Sequence, residues 1–405
     1  MQSCLEAIPD DTKRVLVAYS GGLDSSVLLH LLLSQRSEYP VIAWHINHGL
    51  VDNAAQMEQF CVDQASAYGL ELRIDRLDLG GIDSNIEAEA RRRRYQLFAR
   101  KTVAGDCILT AHHADDQAET FLLNALRGSG VAGLRGIARR RWLGETLLLR
   151  PLLDFSRARL ETYANENEIA WFNDPSNQNL RFDRNYLRSQ VMPMLGKRWS
   201  GYAEAFTTTC EIQAETQALL DEIAAQDYAE LQITDPAGDG RIDLGGLLRL
   251  SQPRQKNLIR HWIEMAELEA LPHARLQQLL LQMQSRIDAL PEIAMPGYSI
   301  RVYDQQLFLV RNREVGSCSG DFDFGQQPFV EIETLDMRLA REEIFARLEI
   351  EDRGQSLMLR FRQQGEPNPD SHRLKRLFQR HRVPPWERDG TAQVYLDGRL
   401  EGLLL

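Results

Sequence analysis

Val15-Leu16-Val17-Ala18-Tyr19-Ser20-Gly21-Gly22-Leu23-Asp24-Ser25-Ser26-Val27-Leu28-Leu29 is the stretch on which the fold turns. Its first four residues form a short apolar run, the pattern of a strand buried on both faces of a parallel sheet. From Val27 to Leu33 the chain is apolar except for His30 and reads as a helix. Strand, glycine–serine loop and helix present free backbone N–H groups and a positive dipole end to an anion. Gly21 and Gly22 let the backbone turn sharply and approach a ligand with no Cβ in the way. Ser20, Ser25 and Ser26 add hydroxyls, and Asp24 adds one carboxylate suited to a magnesium ion that bridges phosphates.

The loop has no lysine, so it is not a Walker A motif. An isolated Gly-Gly is more often a serine-capped turn than a phosphate site. The composite SGGLDSS directly after a buried strand is more specific. It resembles the pyrophosphate loop of the N-type ATP pyrophosphatases, which split ATP into AMP and pyrophosphate to activate a carbonyl oxygen.

Working outward, strand and helix patterns alternate from residue 13 to about 155. Strands are expected at 41–46, 71–74, 107–110 and 146–150, with helices at 54–68, 85–101 and 117–126. Such alternation predicts right-handed βαβ units: an α/β fold with a parallel, doubly wound sheet. Ligands in these sheets bind beyond the carboxyl ends of the strands. Three polar segments meet at that edge: the SGGLDSS loop, then His45, Asn47, His48 and Gly49, then residues 111–120, AHHADDQAET. Lone strand-end histidines are usually structural, and Asp115 or Asp116 could simply cap the following helix. His112, Asp116 and Glu119 nevertheless stand four and three apart, a helical face that suits a metal or a bound ammonium group.

Length predicts two or three domains. With 43% hydrophobic and 26% charged residues and no long apolar run, the composition is that of a soluble globular protein. Residues 1–11 carry acids and a proline and do not read as a signal peptide. Five scattered cysteines with no C-x-x-C pair argue against a zinc or iron–sulfur site and suit a reducing cytoplasm. The net charge of −11 hides local basic patches. Residues 91–101 hold six basic side chains and no acidic one, and residues 127–150 hold six arginines against one glutamate. Residues 357–390 hold eight Lys/Arg against four Asp/Glu. Screening confines each field to about 10 Å, so such patches still hold a polyanion on an acidic protein; each taken alone reads equally as a solvated face.

In the helix at 85–101, Arg93 and Arg94 of the run Arg91-Arg92-Arg93-Arg94-Tyr95 project near the buried side. The segment from Gly128 to Gly136, followed by Arg139-Arg140-Arg141-Trp142, reads as a flexible basic loop able to clamp a nucleic-acid strand, or as an ordinary connection. Asp174-Pro175-Ser176-Asn177 leads to Arg184, Asn185 and Arg188, with the two arginines on one helix face able to embrace phosphate oxygens. Residues 197–290 turn helical, residues 298–310 read as a hairpin, and residues 316–327 read as a linker. The final segment mixes strands with the basic stretch from Arg373 to Arg380.

Together these motifs resemble the tRNA(Ile)-lysidine synthetase family over essentially the whole chain. The matching stretches are SGGLDSS, HINHGL, EAEARRRRY, AHHADDQAET, RPLLDFSR, DPSN with RNYLR, and RFRQQGE with KRLFQRHRVPPWERD. Val51 departs from the pattern where an arginine is expected, and the chain stops at Leu405, earlier than the pattern leads one to expect. The resemblance implies an adenine nucleotide alpha hydrolase-like catalytic domain at 1–200, a mainly helical middle domain at 201–315, and a small α+β tRNA-binding domain at 325–405. It implies a bacterial, cytoplasmic ligase. ATP adenylates the C2 oxygen of the wobble cytidine of tRNA(Ile) with a CAU anticodon; the ε-amine of free L-lysine then attacks C2, releasing AMP. Ser20, Gly21, Gly22, Leu23, Asp24, Ser25, Ser26, His45 and Asn47 are then expected to hold ATP, with Mg²⁺ on Asp24. Asp24, Arg91, His112, Asp116, Glu119 and Arg188 are expected to be catalytic. Arg94, Arg139, Arg140, Arg184, Asn185, Arg373, Lys375 and Arg376 are expected to meet the tRNA. A homodimer is left open.

Three rivals stand beside this reading. A tRNA thiolase of the same fold would use paired cysteines, which are lacking. A small-molecule amidating ATP pyrophosphatase would not need three basic patches or a C-terminal domain. A non-enzymatic tRNA-binding protein would not need Asp24, Asp116 and Glu119 together.

Overall fold

The computed structural model describes residues 5–35, 39–47, 49, 53–77, 86–173, 183–233, 240–284, 291–312, 320–325, 327–332, 337–361 and 370–404. By compactness the chain divides into two units, Met1–Leu219 and Leu220–Leu405. His48, Val51 and Asp174 to Asn177 lie outside the described residues.

The first unit alternates as the pattern predicts: β1 (Arg14–Ala18), α1 (Leu23–Ser34), β2 (Val41–Asn47), α2 (Ala54–Ala67), β3 (Glu71–Arg76), α3 (Ile86–Lys101), β4 (Asp106–Leu109) and α4 (Ala114–Leu126). It continues through α5 (Val131–Leu134), β5 (Arg140–Leu143), β6 (Thr146–Leu149), α6 (Arg157–Glu166), α7 (Asp183–Tyr186), a π-helical turn at Leu187–Val191 and α8 (Met192–Arg198). The sheet order is β3-β2-β1-β4-β6-β5. Five strands are parallel, and β5 pairs antiparallel with β6 at the edge.

Successive side chains of β1 leave on opposite faces. Val15 and Val17 join a core with Leu28, Cys61 and Leu160, from α1, α2 and α6. Leu16 joins Trp44, Ile108, Leu148 and Phe98, the last from α3. Helices thus cover both faces, the doubly wound arrangement that burial of apolar runs on both sides requires. The polar strand ends are left at the open carboxyl edge.

Two expectations need correction here. Arg139 to Trp142 is no flexible loop: residues 140–143 form β5, registered Arg140↔Leu149 to Leu143↔Thr146. The sheet's last parallel strand would otherwise expose a row of backbone donors and acceptors, and β5 satisfies them. The helix after β4 begins at Ala114 and not Gln117, which leaves His112 outside the helix and Asp115 and Asp116 in its first turn.

α9 (Tyr202–Leu231) carries the chain across the boundary between the units. The second unit contains β7 (Gln232–Ile233), β8 (Arg241–Asp243), α10 (Leu244–Arg249), α11 (Gln252–Met265), α12 (His273–Met283), β9 (Glu292–Met295), β10 (Tyr298–Tyr303) and β11 (Gln306–Arg311). The expected hairpin is β10–β11, the centre of a five-stranded sheet ordered β7-β8-β11-β10-β9. Next come β12 (Gly320–Gly325), β13 (Phe329–Ile332), β14 (Met337–Ala340), α13 (Arg341–Leu348), β15 (Leu357–Phe361), α14 (Ser371–Arg380), β16 (Ala392–Leu396) and β17 (Arg399–Leu404). The linker expected at 316–327 is, over residues 320–325, the strand β12 paired with β15. Phe324 is fully buried there, and an apolar side chain in a core outweighs local Gly and Asp propensity.

Candidate active site

The loop after β1 is shaped as a cradle. Gly21 has φ +79°, and a Cβ there would sit 3.0 Å from Cys61 Sγ and 3.1 Å from the Phe60 ring. Glycine is therefore required twice over, by the left-handed backbone and by the close packing beneath it. Gly22 caps α1 with no side-chain cap, which leaves the helix N-terminus to an outside anion. Ser25 Oγ donates to Gly22 O at 3.0 Å and lies 3.1 Å from Ser20 Oγ, while Ser26 Oγ donates to Gly21 O at 3.4 Å. Leu23 points into the core.

His45 and Asn47 stand behind this loop. The His45 ring is buried, 3.0 Å from the Tyr19 carbonyl, and burial holds its pKa below the ordinary value. Asn47 donates to Glu58 at 2.8 Å and accepts from the Gly49 N–H at 2.9 Å. In this geometry His45 braces the loop from within, while Asn47 ties the end of β2 to α2 through Glu58.

Across from the loop, the start of α4 concentrates charge. Asp116 Oδ2 accepts from the His113 backbone N–H at 3.1 Å, which closes the first turn. The His113 ring is 1% exposed, with Asp24, Asp115 and Asp116 oxygens at 3.7, 3.6 and 3.5 Å. Burial opposes its charge, but Asp116, Asp115 and Asp24 outweigh that and raise its pKa. Asp115 accepts from Tyr202 Oη at 2.6 Å and from the Arg157 N–H at 2.7 Å. Burial works against its charge, yet His113, Tyr202 and that N–H bring its pKa down to about 2. Asp24 is pushed upward by burial, only partly offset by His113 and Arg157. Its Oδ1 is buried without a hydrogen-bond partner.

That orphaned oxygen, at the head of α1, fits a magnesium ion bound through one carboxylate, phosphate oxygens and water. Among the described residues no cluster of three or more His, Cys, Asp or Glu side chains could hold a metal by protein ligands alone.

Arg184 and Arg188 close the cluster. Arg188 Nε donates to Glu119 Oε1 at 2.7 Å, and its NH2 group donates to Asp116 at 3.0 Å and Glu119 Oε2 at 3.1 Å. Arg184 Nε donates to Glu119 Oε2 at 2.9 Å. Glu119 has no exposed surface. Burial costs Arg188 its charge, but Glu119 and Asp116 more than restore it and raise its pKa. The face shared by these two arginines, expected to embrace phosphates, is thus turned to carboxylates. Asn185 is half-buried beside them.

A third wall is purely basic. Arg150 is buried and donates to Tyr95 Oη at 2.8 Å, and Arg91 and Arg94 lie 5.8 and 6.0 Å from the Tyr95 ring centre. Burial, with Arg91 and Arg150 nearby, lowers the Arg94 pKa. Among the described residues no ion pair reaches Arg94 or Arg150. His112 Nδ1 lies 3.0 Å from Thr110 Oγ1, and burial with Arg150, Arg94 and Arg91 holds its pKa down at about 3. At neutral pH its imidazole is uncharged.

Some expected residues lie elsewhere. Arg139, exposed, pairs with Asp154 and Glu211 at 2.6 and 2.9 Å, and Arg140 is exposed on β5. Arg373, Lys375 and Arg376 are exposed on α14, in the second unit, opposite buried Leu374 and Phe378.

Family models agree with this layout. One described as a PP-loop domain matches residues 1–195, a TilS substrate binding domain matches 242–308, and a TilS substrate C-terminal domain matches 357–401. The tRNA(Ile)-lysidine synthase of Serratia proteamaculans is 37% identical over 96% of this chain and 90% of its own length. The chain belongs to the tRNA(Ile)-lysidine synthase family. Other members include that of Alkalilimnicola ehrlichii, 39% identical over 92% of this chain and 85% of its own, and that of Shigella flexneri, 34% identical over 95% and 90%. Among solved structures, a U34-tRNA thiolase from Methanococcus maripaludis with its [4Fe-4S] cluster is 19% identical, covers 53% of this chain and 77% of its own, and has a TM-score of 0.43.

In this lysidine synthase fold the residues missed from sequence are His113, Asp115, Arg150, Arg157, Tyr95 and Tyr202. His113 stood in the same motif as His112, but only the true start of α4 shows which histidine faces the carboxylates. Arg150, just after β6, and Arg157, at the start of α6, bracket RPLLDFSR, and that motif was the available signal. Tyr202 carried none, being 87 residues from its partner Asp115.

Proposed function

We propose that this chain makes lysidine: it joins free L-lysine to C2 of the wobble cytidine of tRNA(Ile), using ATP and releasing AMP and pyrophosphate. What carries the reading is the meeting, at one sheet edge of a lysidine synthase family member, of an uncapped glycine–serine loop with a four-carboxylate cluster and a basic wall. In the first step the cytosine C2 oxygen attacks the α-phosphorus of ATP, and pyrophosphate leaves into the cradle of Gly21, Gly22, Ser20, Ser25 and Ser26. Asp24 would hold a magnesium ion, which would supply Lewis-acid charge for the departing group. The loop is already shaped, so little reorganisation is needed when charge develops.

In the second step the lysine amine attacks C2, and AMP leaves with the former C2 oxygen. The free ammonium has a pKa near 10.4 and must lose its proton first. Asp116, with one oxygen toward Arg188 and the other at the His113 N–H, receives the ammonium. Neutral His112 accepts a hydrogen bond from it without adding charge, and the ammonium's proton passes by way of His112 to solvent, which frees the amine to attack. Glu119 takes a different part from the one expected: with both oxygens filled by arginines, it positions Arg184 and Arg188. Arg91, Arg94 and Arg150 meet the charge on the adenylated base. The target base must leave its stack to reach this edge.

The α14 cations, with Arg139 and Arg140, hold more distant parts of the tRNA, which an anticodon shared with a methionine tRNA requires. The test is incubation with ATP, labelled lysine and tRNA(Ile). Lysine should appear in the RNA, and an active preparation that transfers none would refute the reading.

A further inference from the structure

The five-stranded sheet of the second unit has two unlike faces. Tyr298, Ile300 and Val302 of β10 enter a core shared with α11 and α12, as do Leu307 and Leu309 of β11. The alternate residues leave on the other face: Arg301 and Tyr303 from β10, and Phe308 from β11. Phe308 is buried all the same, outside that core. Its ring meets the Arg241 guanidinium at 4.7 Å and, from much later in the chain, the indole of Trp386 at 5.3 Å, edge to face. Trp386 also meets the Tyr303 ring at 6.1 Å, and the Arg301 guanidinium stands 5.0 Å over the indole. At the rim Arg382 pairs with Asp304 at 3.1 Å.

The segment that carries Trp386 is a stiff extension of α14. The Val383 N–H donates to Phe378 O at 2.9 Å, and the Val383 side chain shares a core with Leu374 and Phe378 of α14. Pro384 and Pro385, with φ fixed by their rings, then lead to Trp386. The turn that receives it is strained. Asp304 and Gln305 hold φ of +47° and +61°, and Arg382 holds +55°, all without glycine. Such angles persist where surrounding contacts over-determine them. Asp304 and Arg382 pair with each other, so the strain sits where the two segments meet.

We propose that this contact is a joint that makes the family domains matched at 242–308 and 357–401 one tRNA-binding body, with Trp386 as a positioning residue for α14. Seated on the β10–β11 hairpin, Trp386 fixes the direction in which Arg373, Lys375 and Arg376 face. The proposal rests on the tRNA reading above and on the α14 contact placed there. Cations on a slack domain act as a loosely tethered second site, and their share of the affinity falls as the tether loosens. A seated domain is ordered before the RNA arrives, so binding does not bear that cost.

The full-length protein is titrated with a tRNA(Ile) transcript over a range of salt concentrations. Trp386→Ala removes no charge, yet it should weaken binding about 10- to 100-fold and lower the salt slope by about two to three. ATP affinity should not change. The indole N–H has no hydrogen-bond partner, so Trp386→Phe should keep most of the affinity and the slope. Tyr303→Ala strips the joint from the hairpin side and leaves the core under α14 intact; it should lower the slope in the same sense. Adding Trp386→Ala to alanine replacements of Arg373, Lys375 and Arg376 should cost little beyond the triple variant, because both act through the same cations. A native slope in Trp386→Ala or in the triple variant would overturn the joint. Additive losses would overturn it too, by making Trp386 a direct RNA contact. So would a native slope in Tyr303→Ala, which would reduce the Trp386→Ala loss to unfolding of its own domain. If the native enzyme transfers lysine while Trp386→Ala keeps its slope, only the joint fails. If the native enzyme transfers none while the slope results hold, the reaction assignment fails and the joint stands.

Discussion

The loop at residues 19–26 and the cluster on α4 form two walls of one site, built by opposite means. The loop works through backbone: a left-handed glycine, an uncapped helix start and three serines, all within eight residues. The α4 wall works through side chains joined across the sequence, with Glu119 and Asp116 meeting Arg184 and Arg188 over separations of 65 to 72 residues. A backbone wall leaves the fold's stability nearly independent of the chemistry it performs. A wall of buried ion pairs ties the two together, because each charge is tolerable only while its partner stays.

Glu119→Gln is the hardest test of that difference. It leaves Arg184 and Arg188 short of a buried counter-charge and should cost about 3–5 kcal/mol of stability, read as a lowered unfolding midpoint in urea. A native-like midpoint would show that the cluster does not hold the fold. Asp24→Asn should do the converse. Pyrophosphate release should fall about 10²–10³-fold, while the midpoint should stay level or rise. The sign follows from burial: Asp24 carries a raised pKa, so its charge opposes folding at neutral pH, and an amide removes that cost.

A smaller effect separates the walls by pH. Asp115 is held at about 2, below the ordinary carboxyl value, so its contribution is fully present above about pH 4 and is lost as pH falls from there toward 2. Tyr202→Phe removes one hydrogen bond to that carboxylate and should cost about 1.5–3 kcal/mol at pH 7. The gap from native should narrow below pH 4 in parallel urea titrations; a gap independent of pH would place the bond's value elsewhere. The smallest effect should come from outside the site. Replacing Arg373, Lys375 and Arg376 by alanine on α14 should reduce the salt slope of tRNA binding by about one per residue and leave ATP affinity unchanged. A parallel loss of ATP affinity would break the division of labour between the units.

Local chemistry was legible from residues 15–29 because everything the loop needs is contiguous. A buried strand, a glycine with positive φ and a helix start are properties of neighbours in the chain. Misreadings arose where a distant element decided. Arg140 to Leu143 looks like a basic loop because its pairing partner, β6, outweighs its own propensity. Residues 320–325 look like a linker because burial of Phe324 under β15 cannot be seen from Gly and Asp alone. For Arg184 and Arg188, spacing places both on one helix face, and only the fold shows that this face meets Glu119 and Asp116.

The parallel α/β sheet, the glycine–serine loop and the polar strand ends are readable along the chain, since apolar periodicity and glycine placement act over a few residues. The partners came from the three-dimensional fold: His113 and not His112 among the carboxylates, and Glu119 locked between two arginines. Charge interactions depend on distance and burial in space, and neither is written in the spacing of residues along the chain.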